Sequence, residues 1–253
     1  PAKLLFSSFL LVIVLGSMLL MLPEATRSGV RLSWVDALFT STSAVCVTGL
    51  TVLDTAGHFS RAGQLIILTL IQLGGLGIMT AAVSLVLFMR KNIDMRRQAA
   101  MQDMLDHDTL QGARRLTRNI ILMTASLELV GAVALAVAWR PLLTNWGDAF
   151  YHATFHAISA FCNAGFSTFS GNLMSFRDDV ATNVIIALLI LGGGLGFVVM
   201  TDLEDNIRQR LWKGRGRSAF RLRVQSRIVL TTTLVLTVVT ALLFYAMEPG
   251  PSP

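Results

Sequence analysis

Charged residues are scarce in this 253-residue sequence: Asp, Glu, Lys and Arg together make up 14% of it, against roughly 25% in soluble globular domains. A soluble chain of this length could not cover its surface with so few. Cysteine is scarcer still, with two residues, which excludes a disulfide-stapled scaffold. No nucleophile with a nearby base and no metal-ligand spacing stands out, so an enzyme is not expected and no cofactor is expected in the chain. Basic residues are not interleaved with aromatic ones, which argues against nucleic acid as a partner. Hydrophobic residues, by contrast, reach 53% and the mean hydropathy is +0.63. Disorder is thereby excluded, and a polytopic membrane protein in contact with the lipid bilayer is expected.

Five apolar runs are long enough to cross a bilayer: Leu4–Leu22, Ala62–Met89, Leu116–Ala138, Ala181–Thr201 and Ser226–Met247. About 20 helical residues span a hydrocarbon core about 30 Å thick. The first run follows Lys3 and resembles a signal peptide, but it is long for one and no clear cleavage site follows, so it reads as a true span. Lys and Arg divide 16 to 5 between the two sides of these runs. The rich side holds Lys3, the 90–118 loop (Arg90, Lys91, Arg96, Arg97, Arg114, Arg115, Arg118) and the 205–227 loop, from Arg208 to Arg227. Positive residues gather on the cytoplasmic side. The N-terminus is therefore expected in the cytoplasm of a multi-pass inner (cytoplasmic) membrane protein, with the 23–61 and 139–180 connections outside.

Those outer connections each contain an apolar piece too short to span, Ala37–Val47 and Ala149–Phe161, as re-entrant segments do. Each opens on the same signature: Trp34-Val-Asp36-Ala37 matches Trp146-Gly-Asp148-Ala149. Ser33 and Asp36 fit a capping box, and Asp36 and Asp148 are expected to cap the two short helices. The match continues: Ser43-Ala-Val-Cys46-Val-Thr-Gly49-Leu-Thr51 aligns with Ser159-Ala-Phe-Cys162-Asn-Ala-Gly165-Phe-Ser167, and Gly74-Gly-Leu-Gly77 with Gly193-Gly-Leu-Gly196. Between the Trp and the Ser-Ala pair the second copy carries four extra residues. Four residues make about one helical turn, so the second short helix should be longer with its face kept. The expected unit is a span, a half-helix, a Gly-containing loop and a span. Two spans separate the copies, so both run the same way through the bilayer, around an axis along the membrane normal.

Irregular backbone at membrane depth is tolerated only where protein buries it or a water-filled cavity adjoins it. A loop that ends a half-helix offers carbonyl oxygens, and carbonyls replace the hydration shell of a monovalent cation. Glycine is required where φ must turn positive, which is the place of Gly49 and Gly165. The candidate coordinating carbonyls are those of Val45, Cys46, Val47, Thr48 and Gly49 in the first copy, and of Phe161, Cys162, Asn163, Ala164 and Gly165 in the second. No acidic ring accompanies them, which favours a K⁺-like site over a Ca²⁺ site.

The segment Ser41-Thr-Ser-Ala-Val-Cys-Val-Thr-Gly-Leu-Thr51 with Gln72-Leu-Gly-Gly-Leu-Gly-Ile78, and the segment Phe155-His-Ala-Ile-Ser-Ala-Phe-Cys-Asn-Ala-Gly-Phe-Ser167, resemble the filter regions of the Trk/Ktr/HKT potassium transporters, closest to the bacterial Trk/Ktr branch. The resemblance covers nearly the whole chain. It implies an all-α membrane fold of four M1-P-M2 repeats around one pore, with one filter glycine per repeat. It implies K⁺ as the transported ion, Gly49 standing where a serine goes with Na⁺ preference. It also implies a homodimer and a cytosolic nucleotide-binding regulatory subunit. On this reading residues 1–90 form the first repeat, 91–115 a cytoplasmic connector, 116–204 the second repeat, 205–225 a basic cytoplasmic loop, and 226–253 the first span of a third. Two filter segments are then missing, and the chain is expected to be the N-terminal half of a longer protein. A Na⁺-selective or non-selective transporter and a non-conducting scaffold or sensor are the alternatives.

Other residues have blander expectations. Cys46 and Cys162 are expected to be small buried packing residues. Gly192-Gly-Gly-Leu-Gly196 should allow close packing of helices or of a pore loop. Glu128, alone in an apolar run, invites an ion-path role but has no acidic neighbour. Asn163 could touch an ion or brace its loop. His152 and His156 share a helix face at metal-binding spacing, yet no third ligand is evident, so hydrogen bonding to the filter scaffold is expected.

Overall fold

The computed structural model describes residues 2–93, 106–143, 145–213 and 222–247, the side chains of 2–5, 78–93, 106–116 and 208–213 excepted. Most of the expected 91–115 connector and of the 205–225 basic loop, including Arg96, Arg97, Arg215, Arg217 and Arg221, lies outside the described residues or side chains.

All described elements are helical. In chain order they are α1 (Ala2–Leu20), α2 (Trp34–Val45), a short α3 (Thr55–His58), α4 (Arg61–Ile93), α5 (Asp106–Trp139), α6 (Trp146–Phe161), α7 (Val180–Gly194), α8 (Phe197–Lys213) and α9 (Val224–Met247). Single 3₁₀ turns occupy Pro23–Ala25 and Met174–Phe176. Among the described residues, Thr117–Trp139 and Val224–Met247 are each long and apolar enough to cross a membrane, while Phe6–Leu20 and Arg61–Gly77 are shorter apolar helices. The fourth apolar run departs from expectation. It is not one helix: α7 ends at Gly194, and Gly196 takes a φ of +79° before α8 begins. That φ is disallowed for a continuing right-handed helix.

The chain forms two compact units, 1–194 and 195–253. Both expected repeats' short helices and loops thus fall in one unit. There α2 packs against α1 and α4, and α6 packs against α5 and α7. One buried cluster gathers Leu20, Val45, Phe59, Ile67 and Ile71 and takes in Phe155 and Phe166. The other is built on Leu135, Trp139, Phe161, Phe176 and Leu189. Lipid tails are as apolar as leucine, so burial in a bilayer gives helices little hydrophobic drive, and close packing and hydrogen bonds hold them instead. Small buried residues at the contacts, among them Ala37, Ala44, Ala132, Ala153 and Ala157, let the backbones approach. In the second unit, Asp202 accepts from the Arg223 backbone N–H at 2.9 Å, tying α8 to the start of α9.

Candidate ion-coordinating loops

The two short helices start alike. Ser33 Oγ accepts from the Asp36 N–H at 3.1 Å, and Asn145 Oδ1 accepts from the Asp148 N–H at 2.8 Å. Each cap also donates to the aspartate carboxylate, at 2.7 and 3.0 Å. The caps are therefore Ser33 and Asn145. Asp36 and Asp148, expected to be caps, sit one turn inside, where a carboxylate complements the helix N-terminus. Asp148 also pairs with Arg61 at 2.7 Å, joining the starts of α4 and α6. The helices span 12 and 16 residues, the difference of one turn that the alignment requires.

They also end alike. After α2, Val47 N donates to Ala44 O (3.2 Å) and Thr48 N to Ser43 O (2.8 Å); after α6, Asn163 N donates to Ala160 O (3.0 Å) and Ala164 N to Ser159 O (2.7 Å). This is the Schellman arrangement, whose turning residue takes positive φ. Val47 (+55°) and Asn163 (+61°) turn the chain, and Gly49 (+78°) and Gly165 (+74°) turn it again two residues later. Asparagine tolerates such a φ, whereas a β-branched valine there is strained.

The loops meet. A methyl placed on Gly49 would overlap the Ala164 carbonyl oxygen and lie 3.2 Å from Gly165 Cα, and one on Gly165 would lie 3.5 Å from Gly49 Cα. Two glycines far apart in sequence thus face each other with only backbone between them. Each loop is backed by a glycine of the next long helix: Gly74 abuts the Val45 carbonyl oxygen, and Gly193 the Phe161 carbonyl oxygen. Those two carbonyls, counted among the candidate ligands, lie against helix backbone. Asn163 directs its amide at the Phe161 and Ile190 carbonyls, both at 3.4 Å, so it braces the loop onto α7.

Histidines on α6 anchor the chain just beyond the second loop. His156 Nδ1 lies 2.7 Å from the His152 carbonyl oxygen and its Nε2 2.8 Å from Ser167 Oγ. His152 Nδ1 lies 2.6 Å from Thr168 Oγ1. Both rings stack on Phe169, with centroids 4.9 Å apart. All their described partners are protein groups, and no metal-ligand cluster occurs among the described residues. Trp139, fully buried, lies edge-on to His156 and donates from Nε1 to Thr182 Oγ1 at 2.8 Å, joining the ends of α5, α6 and α7. A cavity of about 260 Å³ opens beside this loop, with His156, Ser159, Asn163, Gly165 and Asn172 on its wall.

The cysteines differ. Cys162 is buried, but Cys46 is exposed, contrary to expectation. Cys162 packs against Gly75 of α4, where a methyl would come within 2.6 Å of its sulfur. Among the described residues no helix takes the corresponding place beside Cys46. Glu128 is buried, and its Oε2 accepts from Gln72 Nε2 at 3.1 Å. Sequence reasoning gave Gln72 and Trp139 no role; a glutamine within an apolar run was the available signal for the first.

This is a helical membrane protein in which two short helices end in apposed glycine turns. A family model described as TrkH, cation transport protein, matches residues 3–249, and the chain belongs to that family. It is 38% identical over 248 residues to the Ktr system potassium uptake protein B of Bacillus subtilis, covering 98% of this chain and 53% of the relative. It is 37% identical to the Ktr system potassium uptake protein B of Vibrio alginolyticus, covering 97% and 52%. It is 35% identical to the potassium/sodium uptake protein NtpJ of Enterococcus hirae, covering 98% and 52%. The chain spans about half the length of the curated relatives it matches.

Proposed function

We propose that this chain supplies half of a K⁺ uptake path across the cytoplasmic membrane, and that the apposed loops at Gly49 and Gly165 are two segments of its selectivity filter. The observation that carries the reading is the meeting of two positive-φ glycines, each two residues past the turning residue of a Schellman turn, with only backbone between them. Backbone oxygens at fixed spacing replace a water shell without the strong field of carboxylates. The carbonyls of Cys46–Gly49 and Cys162–Gly165 are the proposed ligands. Those of Val45 and Phe161 stand behind them, on Gly74 and Gly193. The units α1–α2–α4 and α5–α6–α7 are read as two M1-P-M2 repeats, α9 as the first span of a third, and the basic loops as cytoplasmic. A homodimer and a nucleotide-binding regulatory subunit on the cytoplasmic face complete the proposed assembly. Permeation follows the electrochemical gradient of K⁺ or is coupled to Na⁺ or H⁺.

Na⁺ transport is the second reading, favoured by the potassium/sodium name of the Enterococcus relative. Uptake of K⁺ and Na⁺ into proteoliposomes holding the full-length parent, wild type beside Gly165→Ser, separates the readings. The side chain forces a φ of +74° onto an L residue, so the variant should lose K⁺ uptake or admit Na⁺. Equal K⁺ and Na⁺ uptake by the wild type would favour the second reading. A folded wild-type protein that moves neither ion would leave the scaffold.

A further inference from the structure

A hydrogen-bonded chain runs from inside the helix bundle to the second loop. Glu128 lies on α5, Gln72 on α4, and Cys162 at the C-cap of α6. Gln72 Nε2 donates to Glu128 Oε2 at 3.1 Å, and Cys162 Sγ donates to Gln72 Oε1 at 3.8 Å. Gln72 thus gives its amide N–H₂ to Glu128 and its amide oxygen to the thiol. Gly75, one turn-neighbour of Gln72 on α4, leaves the space that the sulfur fills.

Stability gives no reason for Glu128 to be there. Glu128 is 7% exposed and, among the described residues, its Oε1 has no partner; Thr124 Oγ1, one turn earlier, has none there either. A buried acceptor without a donor costs free energy, and an apolar side chain of similar size would pack at this helix contact without that cost. The carboxylate is thus a costly feature whose described polar partner, Gln72, leads to the loop. Cys46, at the matching place in the first loop, is exposed, so the brace acts on one loop alone.

We propose that Gln72 and Glu128 are positioning residues that hold Cys162, and through it the carbonyls of residues 162–165, at the spacing that discriminates K⁺ from Na⁺. The inference rests on the filter reading above. The test is competitive K⁺ and Na⁺ uptake by the full-length transporter in proteoliposomes. Gln72→Leu and Glu128→Leu break the chain and should lower the K⁺/Na⁺ uptake ratio by about five- to tenfold, about what one buried hydrogen bond is worth. Glu128→Gln keeps an acceptor in place and should stay within about twofold of wild type. Cys162→Ala, which removes only the sulfur and so perturbs folding least, should fall with the leucine variants. A second readout is the rate of thiol labelling at Cys162, resolved from Cys46 by the mass of its peptide, which should rise when Glu128→Leu frees the loop.

An unchanged ratio in Gln72→Leu or Cys162→Ala overturns the proposal. So does a Glu128→Gln ratio as low as that of Glu128→Leu, which would make the charge, not the hydrogen bond, responsible. If the leucine variants do not fold, Cys162→Ala against wild type decides. Wild-type selectivity in every variant removes the brace and leaves the filter reading standing. A wild type that moves neither ion removes both.

Discussion

Gly193 and Gly194 are neighbours in sequence with opposite surroundings. A methyl on Gly193 would overlap the Phe161 carbonyl oxygen, whereas among the described residues nothing lies within 4 Å of one on Gly194. Replacing an ordinary helical glycine by alanine stabilises by about 0.5–1 kcal/mol, through the conformational entropy of the unfolded chain. Gly194→Ala should follow that rule. Gly193→Ala should reverse it, since forcing a methyl into a filled contact costs about 1–3 kcal/mol, and it should move the second loop as well. Melting temperatures of the two purified variants in one detergent check the sign, and a Gly193→Ala protein more stable than wild type would refute the close approach. Val47 shows the limit of reading at this scale. Glycine announced the turns at 49 and 165, but nothing about a β-branched residue in Val45-Cys-Val-Thr announces a φ of +55°. Only the second loop, with Asn163, carries a residue suited to the turn.

The elements that could be read ahead were those with a period, a cap or a repeat. The short helices, their starts at Trp34 and Trp146, and the extra turn of the second were legible because two copies constrain one alignment. The break near Gly196 was not, because the apolar run continues through it and hydropathy does not report φ. Nor were the contacts joining elements, such as Trp139 to Thr182 or Gln72 to Glu128, since spacing within a segment does not show what faces it. The short α3 shows how a cap joins distant loops. Asp54 accepts from the Ala56 and Gly57 N–H groups, at 3.2 and 3.0 Å. A hydrogen bond from Ser170, chiefly, with these two N–H groups and Arg27 in support, holds its carboxyl below the ordinary 3.8 against the opposing effect of burial. A carboxyl depressed on folding adds stability that is fully present above 3.8 and is lost as pH falls through its lower folded value. Acid titration of thermal stability should therefore show a loss below pH 3.8 that is smaller in Asp54→Asn, whose amide oxygen still caps α3 but does not titrate. Superimposable profiles would mean that Asp54 takes no part.

At the scale of the whole molecule, one side of the proposed path is built and the other is open. Cys162 is covered by α4, but Cys46 and Thr48 are exposed, and α9 is apolar and, past the buried Ser226, mostly exposed. A bare apolar helix suits lipid or further helices. A carbonyl site, however, must surround its ion to replace the water it strips, and two loops cannot do so from one side. The relatives are about twice as long, and a parent of that length would have room for the remaining segments. Residues 1–253 expressed alone, in cells lacking their own K⁺ uptake, should give no uptake above background, while the full-length parent restores it. Co-expressing residues 1–253 with the remainder of the parent as a separate chain should restore part of the uptake, because the two halves then close around the ion. Uptake by residues 1–253 alone would mean that a second copy completes the site. The proposed path would then have two-fold symmetry, with Gly49 and Gly165 of each copy facing those of the other.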